Sequence, residues 1–279
     1  MIKKMAVSFF LLVLMGTMAC AEANPELAAA ARQGRLDEVI SIIESGVSVD
    51  TRLANQWTPV MEASAGGNDK IVAYLLEQGA DPDLQNKAGW TALMYAADKG
   101  HLKVVALLLK AKANVNLKDN TGNNALLYAV AKRNTAMAAK LIKAKIDLNA
   151  QGEYYDNKNW SALLQACEQG DLNTALLLIN SGADPNLASS TGTTPMLWAA
   201  NQGMLPVVKL LVAKGVDVNY KSSSPSTALM QAAFKGQAEV VEYLLQQGAD
   251  KTVKSVIGET ALAMAKRKNF TKVIELLEK

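Results

Sequence analysis

Histidine occurs once and cysteine twice in this chain of 279 residues, and no motif supplies the chemistry that those numbers leave out. His101 has no companion ligands at metal spacing, so neither a metal centre nor acid–base catalysis is expected of it. The sequence holds no P-loop, no GxGxxG, no GxSxG and no HExxH. Asp81-Pro82-Asp83 opens like a calcium loop but lacks the glycine at the sixth place and the closing glutamate. Neither sign of charge dominates: 29 basic residues stand against 26 acidic ones, a net charge of +3, which leaves no electrostatic footprint for nucleic acid. Beyond the N-terminus no apolar run approaches the length of a membrane span. Half of the residues are hydrophobic and a fifth are charged, a balance too apolar for extended disorder. Enzymes and cofactor carriers are disfavoured on these grounds, and no cofactor is expected.

The first residues have their own pattern. Lys3 and Lys4 precede an apolar stretch from Ala6 to Met15, and Ala21-Glu22-Ala23 fits a small-x-small cleavage site. This reads as a secretory signal peptide over residues 1–23, which leaves 24–279 as the mature chain. Export from a bacterium to the periplasm is the expectation. Cys20 keeps a lipid-anchored alternative open, although Thr17 stands where a lipoprotein signal carries a leucine-like residue. Cys167 is then the single mature thiol, and no internal disulfide can form.

What the rest of the chain has is period. A Thr-Ala or Thr-Pro signal stands at Thr58-Pro59, Thr91-Ala92, Thr194-Pro195, Thr227-Ala228 and Thr260-Ala261, with Asn124-Ala125 and Ser161-Ala162 in the same slot. Five of the intervals are 33 residues and one, from Asn124 to Ser161, is 37. A fixed period of this length marks a solenoid, in which each unit buries its apolar face on its neighbours. Five residues after the slot comes alanine every time, at Ala63, Ala96, Ala129, Ala166, Ala199, Ala232 and Ala265, with Ala30 one period upstream. Such constant smallness predicts a close approach of two helices. Pairs such as Val104-Val105 and Leu108-Leu109, four apart, trace one apolar helical stripe.

Punctuation divides each unit into two helices. Thr58 and Thr194 suit an N-cap, and Pro59 and Pro195 suit the first turn, where a missing N–H costs nothing. Gly67, Gly100, Gly170, Gly203 and Gly236 stop the first helix, and Gly79, Gly182, Gly215 and Gly248 stop the second. Polar turns such as Asp81-Pro82-Asp83 and Asn114-Val115-Asn116 follow.

Strings such as Gly89-Trp90-Thr91-Ala92-Leu93 and Gly79-Ala80-Asp81-Pro82-Asp83 closely resemble ankyrin repeats, over about residues 25–279. The resemblance implies an all-α solenoid of stacked helix-turn-helix units with finger loops. It divides into a leading cap over about 25–52, six full repeats and a closing repeat over about 255–279. One departure is systematic: the histidine of the family's T-P-L-H motif is replaced by Met61, Met94, Leu127, Leu164, Leu197, Met230 and Ala263, so apolar packing must steady those turns. A four-residue insertion falls near Tyr154-Tyr155-Asp156-Asn157.

The resemblance also implies a monomeric, non-catalytic module that binds or regulates a protein partner on the concave face formed by fingers and first helices. Trp57, Trp90 and Trp160 share the finger position before the Thr slot, and Tyr95, Tyr128 and Trp198 share a first-helix position. Tryptophan and tyrosine bury much area at low entropic cost, so these residues, with Tyr154 and Tyr155 of the insertion, are the candidate partner contacts. Lys99, Lys132, Lys235, Asp98, Glu168, Asn201 and Phe234 form a candidate mixed rim. Binding of a glycan or peptide, or action as a secreted effector on a host protein, are the alternative readings. Cys167 occupies a slot otherwise held by Ser64, Ala97, Val130, Ala200 and Ala233, and reads as a small buried residue.

Overall fold

The structure is a computed structural model that describes residues 24–53, 55–154 and 157–279. The signal-peptide expectation, Cys20 and Tyr155 therefore lie outside the described residues. Sixteen helices among the described residues form eight consecutive pairs. The first members are α1 (Pro25–Gln33), α3 (Pro59–Gly66), α5 (Ala92–Lys99), α7 (Ala125–Ala131), α9 (Ala162–Glu168), α11 (Pro195–Asn201), α13 (Ala228–Lys235) and α15 (Ala261–Arg267). The second members are α2 (Leu36–Glu44), α4 (Asp69–Glu77), α6 (Leu102–Lys110), α8 (Thr135–Lys143), α10 (Leu172–Asn180), α12 (Leu205–Ala213), α14 (Ala238–Gln246) and α16 (Thr271–Glu278). No described helix is long and apolar enough to cross a membrane.

Each first helix packs on the first helix of the next pair, and second helices meet their neighbours more loosely. The alanine series marks the tight seam: Ala30, Ala63, Ala96, Ala129, Ala166, Ala199, Ala232 and Ala265 are all 0 % exposed. Around them the core runs unbroken from Leu27 to Leu277, one stripe of each second helix contributing residues such as Val104, Val105 and Leu108.

Local chemistry starts and stops the helices as expected, with one exception. The hydroxyls of Thr58, Thr91, Ser161, Thr227 and Thr260 accept the backbone N–H three residues on. Asn124 Oδ1 takes two N–H groups, from Leu126 and Leu127. Thr194 makes no such bond, and its buried hydroxyl has no partner, so Pro195 alone marks that start. Met61, Met94, Leu127, Leu164, Leu197 and Met230, which replace the family's histidine, are buried.

Two hydrogen-bond ladders run along the stack. In the turns after the second helices, the first Asx of each pair closes its own turn, as Asp81 Oδ1 does with the N–H of Asp83. The second Asx accepts from the next unit: Asp83 Oδ1 from Asn114 N at 2.7 Å, Asn116 Oδ1 from Asp147 N at 2.7 Å, and Asn219 Oδ1 from Asp250 N at 2.8 Å. At the ends of the first helices, side chains of one unit donate to the orphan carbonyls of the unit before, as Asn68 does to Ala31 and Arg32, and Gln237 to Asn201. His101 belongs to this second ladder, its Nε2 lying 3.2 Å from the Ala65 carbonyl. A Cβ on Gly67 (φ +72°) would stand 2.6 Å from that imidazole ring, so this glycine is required by its backbone and by its neighbour at once.

The 37-residue interval builds an antiparallel hairpin, β1 (Gln151–Tyr154) and β2 (Asn157–Ser161), with Gly152 opposite Trp160 and an irregularity before Tyr154. The insertion thus lengthens one finger and adds a small sheet to an otherwise helical fold. The hairpin is tied to both neighbouring fingers, through Glu153 N to Thr121 O and Ser190 N to Lys158 O.

Where the glycine pattern lapses, the backbone keeps its left-handed turn. Lys112 (φ 61°) and Lys145 (φ 63°) occupy the slot of Gly79, Gly182, Gly215 and Gly248. A left-handed side chain costs about 1–2 kcal/mol, and glycine's entropy gives back part of it, so Lys112→Gly and Lys145→Gly should each stabilise the fold by roughly 0.5–1 kcal/mol in chemical denaturation. Ala199→Leu should do the reverse, costing about 1–3 kcal/mol or more, because the seam has no room for it.

Candidate functional site

The finger position and the first-helix position meet both within a repeat, as Trp90 and Tyr95 do, and across repeats. Trp57 packs on Tyr95 with ring centroids 4.2 Å apart, Tyr95 on Trp90 at 4.7 Å, and Trp90 on Tyr128 at 4.1 Å. The four half-buried rings form one continuous strip on the face made by fingers and first helices. Interplanar angles of 38–45° make these tilted contacts, a favoured geometry for aromatic pairs. The Arg32 guanidinium stands 5.9 Å from the Trp57 ring at one end.

Both phenols in the strip are committed to the fingers. Asn86 Nδ2 donates to the Tyr95 hydroxyl at 2.7 Å. Tyr128 donates to Asp119 Oδ2. The other oxygen of Asp119 accepts from Thr121 N, Thr121 Oγ1 and Asn123 N, so one buried carboxylate organises a whole finger. Burial pushes the Tyr95 phenol up to about 12, against the opposing bond from Asn86. Burial, then the bond to Asp119, pushes Tyr128 up as well.

Charge borders the strip. Glu62, 6 % exposed, lies 3.4 Å from Arg32, and desolvation raises its carboxyl above the ordinary range. Lys99 and Lys132 of the expected rim converge on Asp98, at 3.0 and 3.3 Å. Exposed lysines of this kind contribute little stability, and they set the local field more than they hold the fold.

The remaining expected contacts fall elsewhere. Trp160, placed by sequence among the surface contacts, is 3 % exposed: Tyr154 stacks over it at 5.6 Å, and it faces Gly152 across the hairpin. Its ring stands behind the surface, with Tyr154 of the insertion stacked on it. Trp198 is half-buried against the core, away from the four-ring strip, and its Nε1 has no partner. Cys167 is fully buried, and burial pushes its thiol far up, which keeps it a thiol rather than a nucleophilic thiolate. Among the described residues no group of three or more His, Cys, Asp or Glu side chains could hold a metal ion.

A second opening lies on the same face at the C-terminal end, and sequence reasoning had not assembled it. Ser224–Ser226, Ser255–Ile257, Met230, Phe234, Met264 and Arg267 line a groove of about 310 Å³. Val256 and Ile257 are 73 % and 75 % exposed at a fingertip. The available signal was their register: other fingers carry Lys87-Ala88, Asn120-Thr121, Ser190-Thr191 and Ser223-Ser224 there.

The raised Tyr95 pKa has a defined sign. The folded chain holds this proton more tightly than the unfolded chain, so the associated stability is complete below the ordinary phenol pKa and is lost as pH rises towards about 12. In an alkaline absorbance titration, Tyr95→Phe should remove a phenol that ionises near pH 12 and leave the earlier part of the curve unchanged.

A family model for ankyrin repeats (three copies) matches the chain over residues 27–119, 78–152, 111–189 and 163–255. A comparison with curated proteins returned no match. Ankyrin repeats are generally protein–protein interaction modules and are typically non-catalytic. With its stacked helix pairs, its Asx turns and these overlapping matches, the chain belongs to the ankyrin-repeat family.

Proposed function

We propose that this chain is an exported, non-catalytic binding module that holds a protein partner, as a monomer, against the face built by its fingers and first helices. In this reading residues 1–23 direct the chain to the bacterial periplasm and are removed. Residues 24–279 form the binding array, with a leading cap over about 25–52, six full repeats and a closing repeat over about 255–279.

The observation that carries the reading is the strip Trp57–Tyr95–Trp90–Tyr128. Each ring is locked by its neighbours, and each phenol by a finger, while part of every ring stays open to solvent. A partner that docks there covers large rigid side chains whose freedom is already lost, so little entropy opposes binding. Arg32, Lys99 and Lys132 at the margin would tune the rate of encounter.

Affinity purification from the periplasm should recover a partner on the native chain. Trp57→Ala with Trp90→Ala should weaken its capture at least about tenfold, the size of a hot-spot loss, with helicity by circular dichroism unchanged. Undiminished capture by that variant would remove the strip from the binding surface. A chain lacking residues 1–23 should stay in the cytoplasm, and Cys20→Ser should leave the native chain's periplasmic fractionation unchanged. Loss of export in Cys20→Ser would instead favour a lipid anchor.

A further inference from the structure

The C-terminal groove lies beside the one finger whose backbone departs from the pattern of the others. In most fingers the residue two before the Thr slot has a left-handed backbone: Gln56, Gly89, Gly122, Asn159, Gly192 and Gly258 all have positive φ. Pro225 holds that place in the sixth finger, and its ring fixes φ near −65°. The backbone bonds that tie earlier fingers together, such as Lys87 N to Asn55 O and Asn120 N to Ala88 O, end with Ser190 N to Lys158 O: neither fingers 189–193 and 222–226 nor fingers 222–226 and 255–259 share one. The last two fingers stand apart, and the apolar side chains of Met230, Phe234 and Met264 line the gap between them.

The electrostatics of this gap are one-sided. Three cations surround the Phe234 ring: Lys268 Nζ at 5.2 Å, the Arg267 guanidinium at 5.7 Å and Lys235 Nζ at 5.8 Å. Glu259 is the one carboxylate among the described residues that line the groove, and Arg267 holds it with two bonds of 3.0 Å. Neither Lys235 nor Lys268 has a carboxylate partner among the described residues. Val256 and Ile257, both exposed, add an apolar lip to the groove. An exposed apolar surface rimmed by polar groups marks an interaction site.

We propose that this groove takes an acidic segment of a protein, with one large aliphatic or aromatic side chain seated among Met230, Phe234 and Met264 and flanking carboxylates placed on Lys235 and Lys268. The proposal rests on the binding-module reading and adds the chemistry of the bound segment. It also divides the face into two zones: a rigid aromatic strip at the N-terminal end and an open, basic-rimmed groove at the C-terminal end. Apolar contact would supply the anchor, and the lysines would select against basic and neutral segments.

Three short fluorescein-labelled peptides test this by fluorescence anisotropy on the full chain: an acidic peptide with a central leucine, the same peptide with alanine in its place, and a leucine peptide with lysines replacing the acids. The acidic leucine peptide should bind best, by at least about tenfold over each of the others, and should weaken with added salt. Lys235→Glu with Lys268→Glu should invert the preference between acidic and basic peptides, a gain that a misfolded variant could not show. Val256→Ser with Ile257→Ser should weaken binding, and Trp57→Ala should leave it unchanged. Equal binding of acidic and basic peptides, or insensitivity to the lysine reversal, would overturn the proposal. So would loss of peptide binding in Trp57→Ala, which would place the peptide on the aromatic strip. If a periplasmic partner is captured through that strip while none of the peptides binds, the groove assignment fails and the binding-module reading stands. Groove-dependent peptide binding without a recovered partner would leave the groove assignment intact and remove support from the strip.

Discussion

Everything in this structure depends on how closely one first helix can approach the next. The seam between them admits alanine and nothing larger at Ala30, Ala63, Ala96, Ala129, Ala166, Ala199, Ala232 and Ala265, each of which is fully buried. Protein interiors are close-packed, so one added methylene at such a seam would be felt along the stack. The short approach brings each Asx turn within reach of the next, and it puts the Asn, Gln and His side chains of one unit onto the helix-end carbonyls of the unit before. Small residues at one position thereby place polar groups at two others, and the backbone atoms that helix ends leave unpaired find partners in the neighbouring repeat.

The same spacing builds the proposed recognition surface. Finger and helix residues of the same and of successive repeats come close enough for Trp57 to lie on Tyr95 and Trp90 to lie between two tyrosines. Asp119 joins this surface to the finger beneath it by accepting four hydrogen bonds. Rigidity and partial exposure coincide there. At the other end the backbone bonds between fingers stop after Ser190, and the face opens into a groove instead of a strip. One architecture thus presents two kinds of surface.

Most of the fold was legible because its signals are local and repeated. The Thr slot, the alanine five residues on and the glycine stops each act within one helix turn, and they recur with a period that needs no tertiary knowledge. What escaped depends on contacts between repeats. Thr194 has the residue type of a cap yet makes no cap bond. Lys112, Arg133 and Lys145 adopt left-handed backbones that their residue types do not announce, because the stack imposes the turn. Trp160 shares a slot with Trp57 and Trp90 but is covered by Tyr154, since the insertion adds a layer that a position count cannot foresee. The candidate surface was therefore half legible: the Trp57, Trp90, Tyr95 and Tyr128 positions could be named, but not their interleaving. The groove around Phe234 needed the separation of two fingers, which only the assembled backbone reveals.

The central claim is that recognition belongs to the face of fingers and first helices, with the second helices serving as scaffold. Amide hydrogen exchange of the chain, free and with its captured partner, tests this directly. Protection gained at the fingers and along α3, α5, α7, α13 and α15, with α4, α6, α8 and α14 unchanged, is the predicted result. Protection confined to the second helices would contradict it.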